Sequence, residues 1–146
     1  MGRGRGGYTE KQPSYKDSGG HKVTDKGAIF VAERYMDQGY EAVFRRDHNP
    51  DRGCDLTIKT SDDETFIKNI EVKAVVSPKT RKISDNIKNA KGQIKPGDTV
   101  AIYLPNHRSS EAGRSFAEAG IAEARRKGYI IGPIEVWFSD KTKIIF

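Results

Sequence analysis

The sequence is poor in the residues that build disulfide frameworks and thiolate metal sites. Cys54 is the only cysteine among 146 residues, which excludes an intramolecular disulfide and a cysteine-based zinc site. His21, His48 and His107 are far apart and form no H-x-x-x-H or H-E-x-x-H spacing, so no histidine zinc motif is present. No apolar run approaches the length of a membrane span or a signal-peptide core. The expectation is a soluble chain without a targeting segment; if it is exported, the address lies on a larger polypeptide or on a partner. Hydrophobic residues make up only 35% of the chain, so the core of its one domain is modest.

Charge is what the sequence has in quantity. Lysine and arginine number 26 against 20 aspartates and glutamates, a net +6 that favours an anionic partner. Nucleic acid is the commonest such partner and an acidic protein the next. Residues 1–20, "MGRGRGGYTEKQPSYKDSGG", are polar and Gly-rich and predict a flexible leader. Residues 21–146 are left as the folded domain.

Along that domain, hydrophobic spacing predicts a helix that Thr24 caps and Gly39 ends. Strands are expected at 40–44, 55–60 and 66–75, the last two joined by the polar "SDDE" as a hairpin loop. A helix from Ser84 to about Ile94 and a near-continuous apolar strand, "TVAIYL" at 99–104, come next. A helix over about 110–127, stopped by Gly128, and strands at 134–138 and 143–146 complete the chain. The order α, three β, α, β, α, β, β implies one mixed α/β sheet with helices packed on it.

Within "NIEVKAVVSP", Ile70, Val72, Ala74 and Val76 line one face of a strand, whereas Glu71 and Lys73 share the other. A hairpin centred on Asp63 sets Thr60 opposite Phe66 and Asp55 opposite Glu71, with Lys73 on the same face. Two carboxylates this close repel unless a cation lies between them, and Mg²⁺ or Mn²⁺ suits an all-oxygen donor set. The adjacent ammonium is placed to orient an attacking water and to offset charge on a phosphate. Pattern alone leaves open that Glu71 and Lys73 are ordinary solvated residues of an edge strand.

"D55-(x15)-E71-V72-K73", preceded by a helix carrying Glu33 and followed by another helix, resembles the PD-(D/E)xK nuclease superfamily. That superfamily shares a restriction-endonuclease-like αβββαβ core. The similarity runs from about residue 22 to 104, with the last helix and strands as additions. Within the superfamily the chain is most similar to the C-terminal nuclease toxin domains of contact-dependent growth inhibition and related polymorphic toxins. Ala32, Glu33, Gly39, Tyr40, Asp55, Leu56, Ile58, Glu71, Val72 and Lys73 supply their frame. The resemblance implies that Asp55 and Glu71 bind a divalent metal (Mg²⁺, Mn²⁺ or Zn²⁺), that Lys73 is the catalytic lysine, and that Glu33 is a further ligand. It implies RNA cleavage, tRNA above all, by a domain secreted within a larger protein and acting in the target-cell cytoplasm. An acidic immunity protein is the partner it implies. A literal Pro-Asp occurs at Pro50–Asp51, but in the hairpin register Asp51 faces Val75, and "NPDRG" has turn chemistry. Asp55 therefore takes the ligand position.

Residues 77–95 carry six basic side chains against Asp85 alone. Lys79, Arg81 and Lys82, with Lys88 and Lys91 at helical spacing, are candidate phosphate contacts; a solvated lysine face is the plain alternative. Gln93 joins them by resemblance only. A DNA endonuclease of restriction, repair or phage origin uses the same chemistry and stays open. A non-catalytic nucleic-acid-binding module also stays open, although a pure binder gains nothing from carboxylates facing phosphate.

Overall fold

The computed structural model describes residues 14–45 and 54–146. Its elements are α1 (Lys26–Asp37), β1 (Tyr40–Phe44), β2 (Leu56–Thr60), β3 (Phe66–Ala74), α2 (Arg81–Lys91), β4 (Thr99–Leu104), α3 (Glu111–Arg126), β5 (Ile134–Phe138) and β6 (Lys143–Ile145). This is the order the hydrophobic pattern predicts, with two shifts at helix starts. Asp25, not Thr24, caps α1, its carboxylate accepting the Ala28 N–H at 3.1 Å. α2 starts at Arg81 rather than Ser84, because Thr80 is already helical in φ and ψ and makes no side-chain cap. Ile83 N–H donates to the Thr80 carbonyl and closes that first turn from the backbone alone.

The strands form one six-stranded mixed sheet in sequence order, β1-β2-β3-β4-β5-β6. β1–β2, β2–β3 and β5–β6 pair antiparallel, whereas β3–β4 and β4–β5 pair parallel across α2 and α3. In the β2–β3 hairpin Leu56 faces Ile70 and Thr57 faces Asn69, the register that sets Asp55 across from Glu71. The loop end differs from expectation. A register shift between Ile58 and Lys59 puts Lys59, not Thr60, opposite Phe66. An extra residue is accommodated there because the Thr60 N–H turns to the Thr65 carbonyl and Asp63 accepts from Thr65, drawing the loop inward.

Each face of the sheet has its own core. α1 lays Ala28, Val31, Ala32 and Tyr35 on Leu56, Ile58, Ile70 and Val72. On the other face α2 and α3 cover Val75, Val100, Ile102, Leu104 and Val136. Strand alternation therefore places Glu71 and Lys73 on the α2 side, in line with Val75. α2 and α3 meet at Gly120, where an added Cβ would lie 2.5 Å from the Ile83 Cβ. Gly120→Ala is expected to destabilise the fold by about 1–3 kcal/mol through overpacking, read as a lower urea midpoint at unchanged m-value.

Part of the stretch that composition assigns to a leader packs on the domain. Lys16 and Lys22 form an antiparallel bridge, and Ser18 N–H donates to the Phe44 carbonyl at the end of β1. The Tyr15 ring lies against Phe44 with centroids 5.1 Å apart. Tyr15 brings the aromatic surface that the Gly-rich composition of its neighbours obscures.

Candidate functional site

The site grows from the second face of β3. Glu71 is only 4% exposed, and Lys73 Nζ lies 3.4 Å from its Oε2. Burial first, and then the charge of Asp55, push the Glu71 carboxyl up to about 8; Lys73 opposes that shift. Asp55 stands just before β2, and its Oδ2 accepts the Val72 N–H at 2.8 Å. That amide points off the end of β2, so a side-chain carboxylate replaces the missing ladder carbonyl. One hydrogen bond thus fixes Asp55 beside the Glu71–Lys73 pair. The expected grouping of Asp55, Glu71 and Lys73 is present.

Two positions back along the same face, the polar run continues. Arg45 Nη1 donates to the Thr57 hydroxyl at 3.1 Å, and that hydroxyl donates to Asn69 Oδ1 at 2.8 Å. Arg45 and Asp55 also line one small cleft with Lys22, Asp17 and Asp25. Asp25, the α1 cap, is near enough for its charge to add to the upward pressure on Glu71. None of Asp25, Arg45, Thr57 and Asn69 belongs to a motif. Their signal is positional: Thr57 and Asn69 lie two residues from Asp55 and Glu71, on the same face by strand period. Cys54, beside Asp55, is buried and its thiol is pushed up chiefly by that burial; its S–H donates to the Leu56 carbonyl at 3.1 Å. It is a packing residue.

Glu33 is not brought to this group. Its carboxylate accepts the Tyr15 hydroxyl at 2.9 Å and approaches Arg34 at 3.9 Å, on the side of α1 away from the helix's buried stripe. The cause is helical phase: Ala28, Val31, Ala32 and Tyr35 claim the sheet, and Glu33 falls roughly opposite them. The basic candidates divide by position. Lys79, Arg81 and Lys82 are exposed around the start of α2, just past the C-terminal end of β3. Lys88 and Lys91 turn to the end of α3 instead. Lys91 Nζ donates to the Gly128 carbonyl at 3.1 Å, and Lys88 Nζ lies 5.7 Å from the Tyr129 ring centre. Gln93 is exposed beyond the last turn of α2, at the end of the helix remote from Lys73. Pro50 and Asp51 lie outside the described residues.

A second polar cluster lies under α1. Glu135, 1% exposed, accepts hydrogen bonds from the Tyr35 hydroxyl, from Lys68 Nζ at 2.9 Å and from Trp137 Nε1 at 3.0 Å. All its near partners are donors, so this carboxylate is fully engaged.

Among the described residues no set of three or more His, Cys, Asp or Glu side chains gathers to hold a metal ion. The donors at the site are the carboxylates of Asp55 and Glu71, all oxygen. Mg²⁺ and Mn²⁺ fit such a pair, since hard cations keep several waters and take one or two carboxylates. Zn²⁺ also takes carboxylate oxygen, although nitrogen and sulfur donors suit it better. A cation between the two carboxylates would offset the Asp55 charge that, after burial, holds the Glu71 carboxyl up. In comparisons with known proteins, no family model, no curated protein and no solved structure matches the chain. No helix among the described residues is long and apolar enough to cross a membrane.

Proposed function

We propose that the chain is a Mg²⁺- or Mn²⁺-dependent nuclease with a restriction-endonuclease-like core, cutting phosphodiester bonds in RNA, tRNA above all, as a toxin domain. The observation that carries this reading is the buried Glu71 carboxylate set between Asp55 and the Lys73 ammonium. A structural glutamate gains from being fully paired, as Glu135 is; Glu71 is instead held in a position where ionisation is costly. Sites that keep such strain are candidates for function.

In this reading Asp55 and Glu71 would hold the metal, Asp55 with its orientation set by the Val72 amide. With a metal bound there, the site would gain Lewis-acid polarisation of the phosphate. Lys73 offsets charge that builds on the phosphate oxygens and orients the attacking water, and donors so placed are typically worth about 10²–10³ in rate. Lys79, Arg81 and Lys82 extend positive charge past the end of β3 for the flanking backbone. The same exposed cations are the natural docking point for an acidic immunity protein. Lys88, Lys91 and Gln93 drop out of the substrate surface. Glu33 serves α1 and the Tyr15 segment rather than the metal.

Purified protein incubated with total RNA and with plasmid DNA, in Mg²⁺, Mn²⁺ or EDTA, tests this. Loss of the tRNA-sized band in Mg²⁺ or Mn²⁺ but not in EDTA is the expected result. Nicking of plasmid alone would transfer the site to a DNA endonuclease. Cleavage of neither would overturn the enzymatic reading.

A further inference from the structure

We infer that Arg45 holds a phosphate of the substrate in this site and that Thr57 and Asn69 are positioning residues that aim it. The inference rests on the nuclease reading. Arg45 follows the last residue of β1, and its N–H donates to the Asp55 carbonyl at 2.8 Å, so its backbone is tied to the residue that carries the site's first carboxylate. Its side chain is exposed and turns across β2 to Thr57. Thr57 is 5% exposed, and its single hydroxyl both accepts from Arg45 and donates to Asn69. The polarity of that chain is therefore set from end to end, and the guanidinium is held in one direction.

An exposed arginine gains little stability from such a tether, because solvent serves its donors almost as well. What the relay supplies is preorganisation: a planar fork on a residue that lines one cleft with Asp17, Lys22, Asp25 and Asp55. One guanidinium N–H is used by Thr57 out of five donors, and a fork of this kind matches two phosphate oxygens at once. Lysine cannot reproduce that geometry, since its ammonium is a point charge on a flexible stem. Arg45 thus stands on the opposite flank of Asp55 from Lys73, and the two cations would bracket a phosphodiester from both sides.

The test compares wild type with Arg45→Gln, Arg45→Lys and Thr57→Val, each first checked for an unchanged melting temperature. In steady-state cleavage, Arg45→Gln is expected to raise KM about tenfold or more, as loss of a charged hydrogen bond does, with a smaller change in kcat. Arg45→Lys should recover only part of the loss, and Thr57→Val should shift KM in the same direction by less. In parallel, binding of a fluorescein-labelled tRNA is followed by anisotropy in EDTA on the Lys73→Ala background. There Arg45→Gln should weaken binding and lower the salt slope by about one. Unchanged KM and an unchanged slope in Arg45→Gln would overturn the inference. Should the wild type cleave nothing, the nuclease reading fails, while the anisotropy arm still decides whether Arg45 holds phosphate.

Discussion

Glu71→Gln is expected to abolish metal-dependent cleavage, by at least about 10²-fold, and at the same time to make the metal-free protein more stable at alkaline pH. The second effect follows from the position of the carboxyl. Glu71 is buried beside Asp55, and its pKa in the folded state is raised to about 8 from an ordinary 4.5. The unfolded chain therefore releases this proton first as pH rises. Between those two values the folded state holds more protons than the unfolded state, so the stability tied to Glu71 is complete below the ordinary value and is lost as pH climbs through the raised one. A neutral glutamine escapes that loss. In EDTA at pH 8.5 the variant should gain a few kcal/mol over wild type, because each tenfold difference in proton affinity between the two states is worth about 1.4 kcal/mol. At pH 4, where wild-type Glu71 is protonated in the folded state and largely so in the unfolded chain, the difference should shrink to a small remainder. Mg²⁺ should raise the melting temperature of wild type at pH 8.5 and leave that of Glu71→Gln unmoved. Thermal melts at the two pH values, with and without Mg²⁺, check all three.

The opposite outcome is expected at the other buried carboxylate. Lys68→Met should destabilise the fold by about 3–5 kcal/mol, because it leaves the Glu135 charge buried without its cation. Lys68 Nζ reaches both Glu135 Oε2 at 2.9 Å and the Tyr35 hydroxyl at 3.1 Å. Burial, and after it the Glu135 charge, hold the Tyr35 phenol far above its usual range, so it stays a donor throughout the accessible pH range. Lys143 closes the group, with its ammonium 5.1 Å and 5.3 Å from the Tyr35 and Trp137 ring centres. In the double variant Lys68→Met with Glu135→Leu, both charges are gone, and most of the lost stability should return. Urea unfolding of the two singles and the double gives the coupling directly. A small loss in Lys68→Met alone would mean that Tyr35 and Trp137 suffice for Glu135.

These two carboxylates also mark how far the sequence could be read. Glu71 was legible because strand alternation joined it to Lys73, and the hairpin joined it to Asp55; both facts are local. Element order was legible for the same reason, since each strand and helix carries its own hydrophobic period. Glu135 was not, because its partners Tyr35 and Lys68 lie 100 and 67 residues away and meet it only once the sheet is assembled. The β2–β3 bulge was hidden too. Its cause is hydrogen bonding by Asp63, Thr60 and Thr65 within the loop, which leaves no trace in apolar spacing. Glu33 looked like a site residue from its motif. The phase of α1, fixed by Ala28, Val31, Ala32 and Tyr35 together, turned it toward Tyr15 instead. The lysine series on α2 divided for a related reason. Regular spacing gave one face, but only the packing of α2 on α3 decided that Lys91 would meet the Gly128 carbonyl.

Asp55, Glu71 and Lys73 are proposed to form one metal-dependent cutting site. Its most direct test is cleavage of purified tRNA by wild type, Asp55→Ala and Lys73→Ala, assayed side by side in Mg²⁺ and in EDTA, with circular dichroism confirming that all three are folded. Wild type should cleave in Mg²⁺ alone, and cleavage should be lost in both folded variants. Cleavage that persists in either variant, or in EDTA, would contradict the proposal.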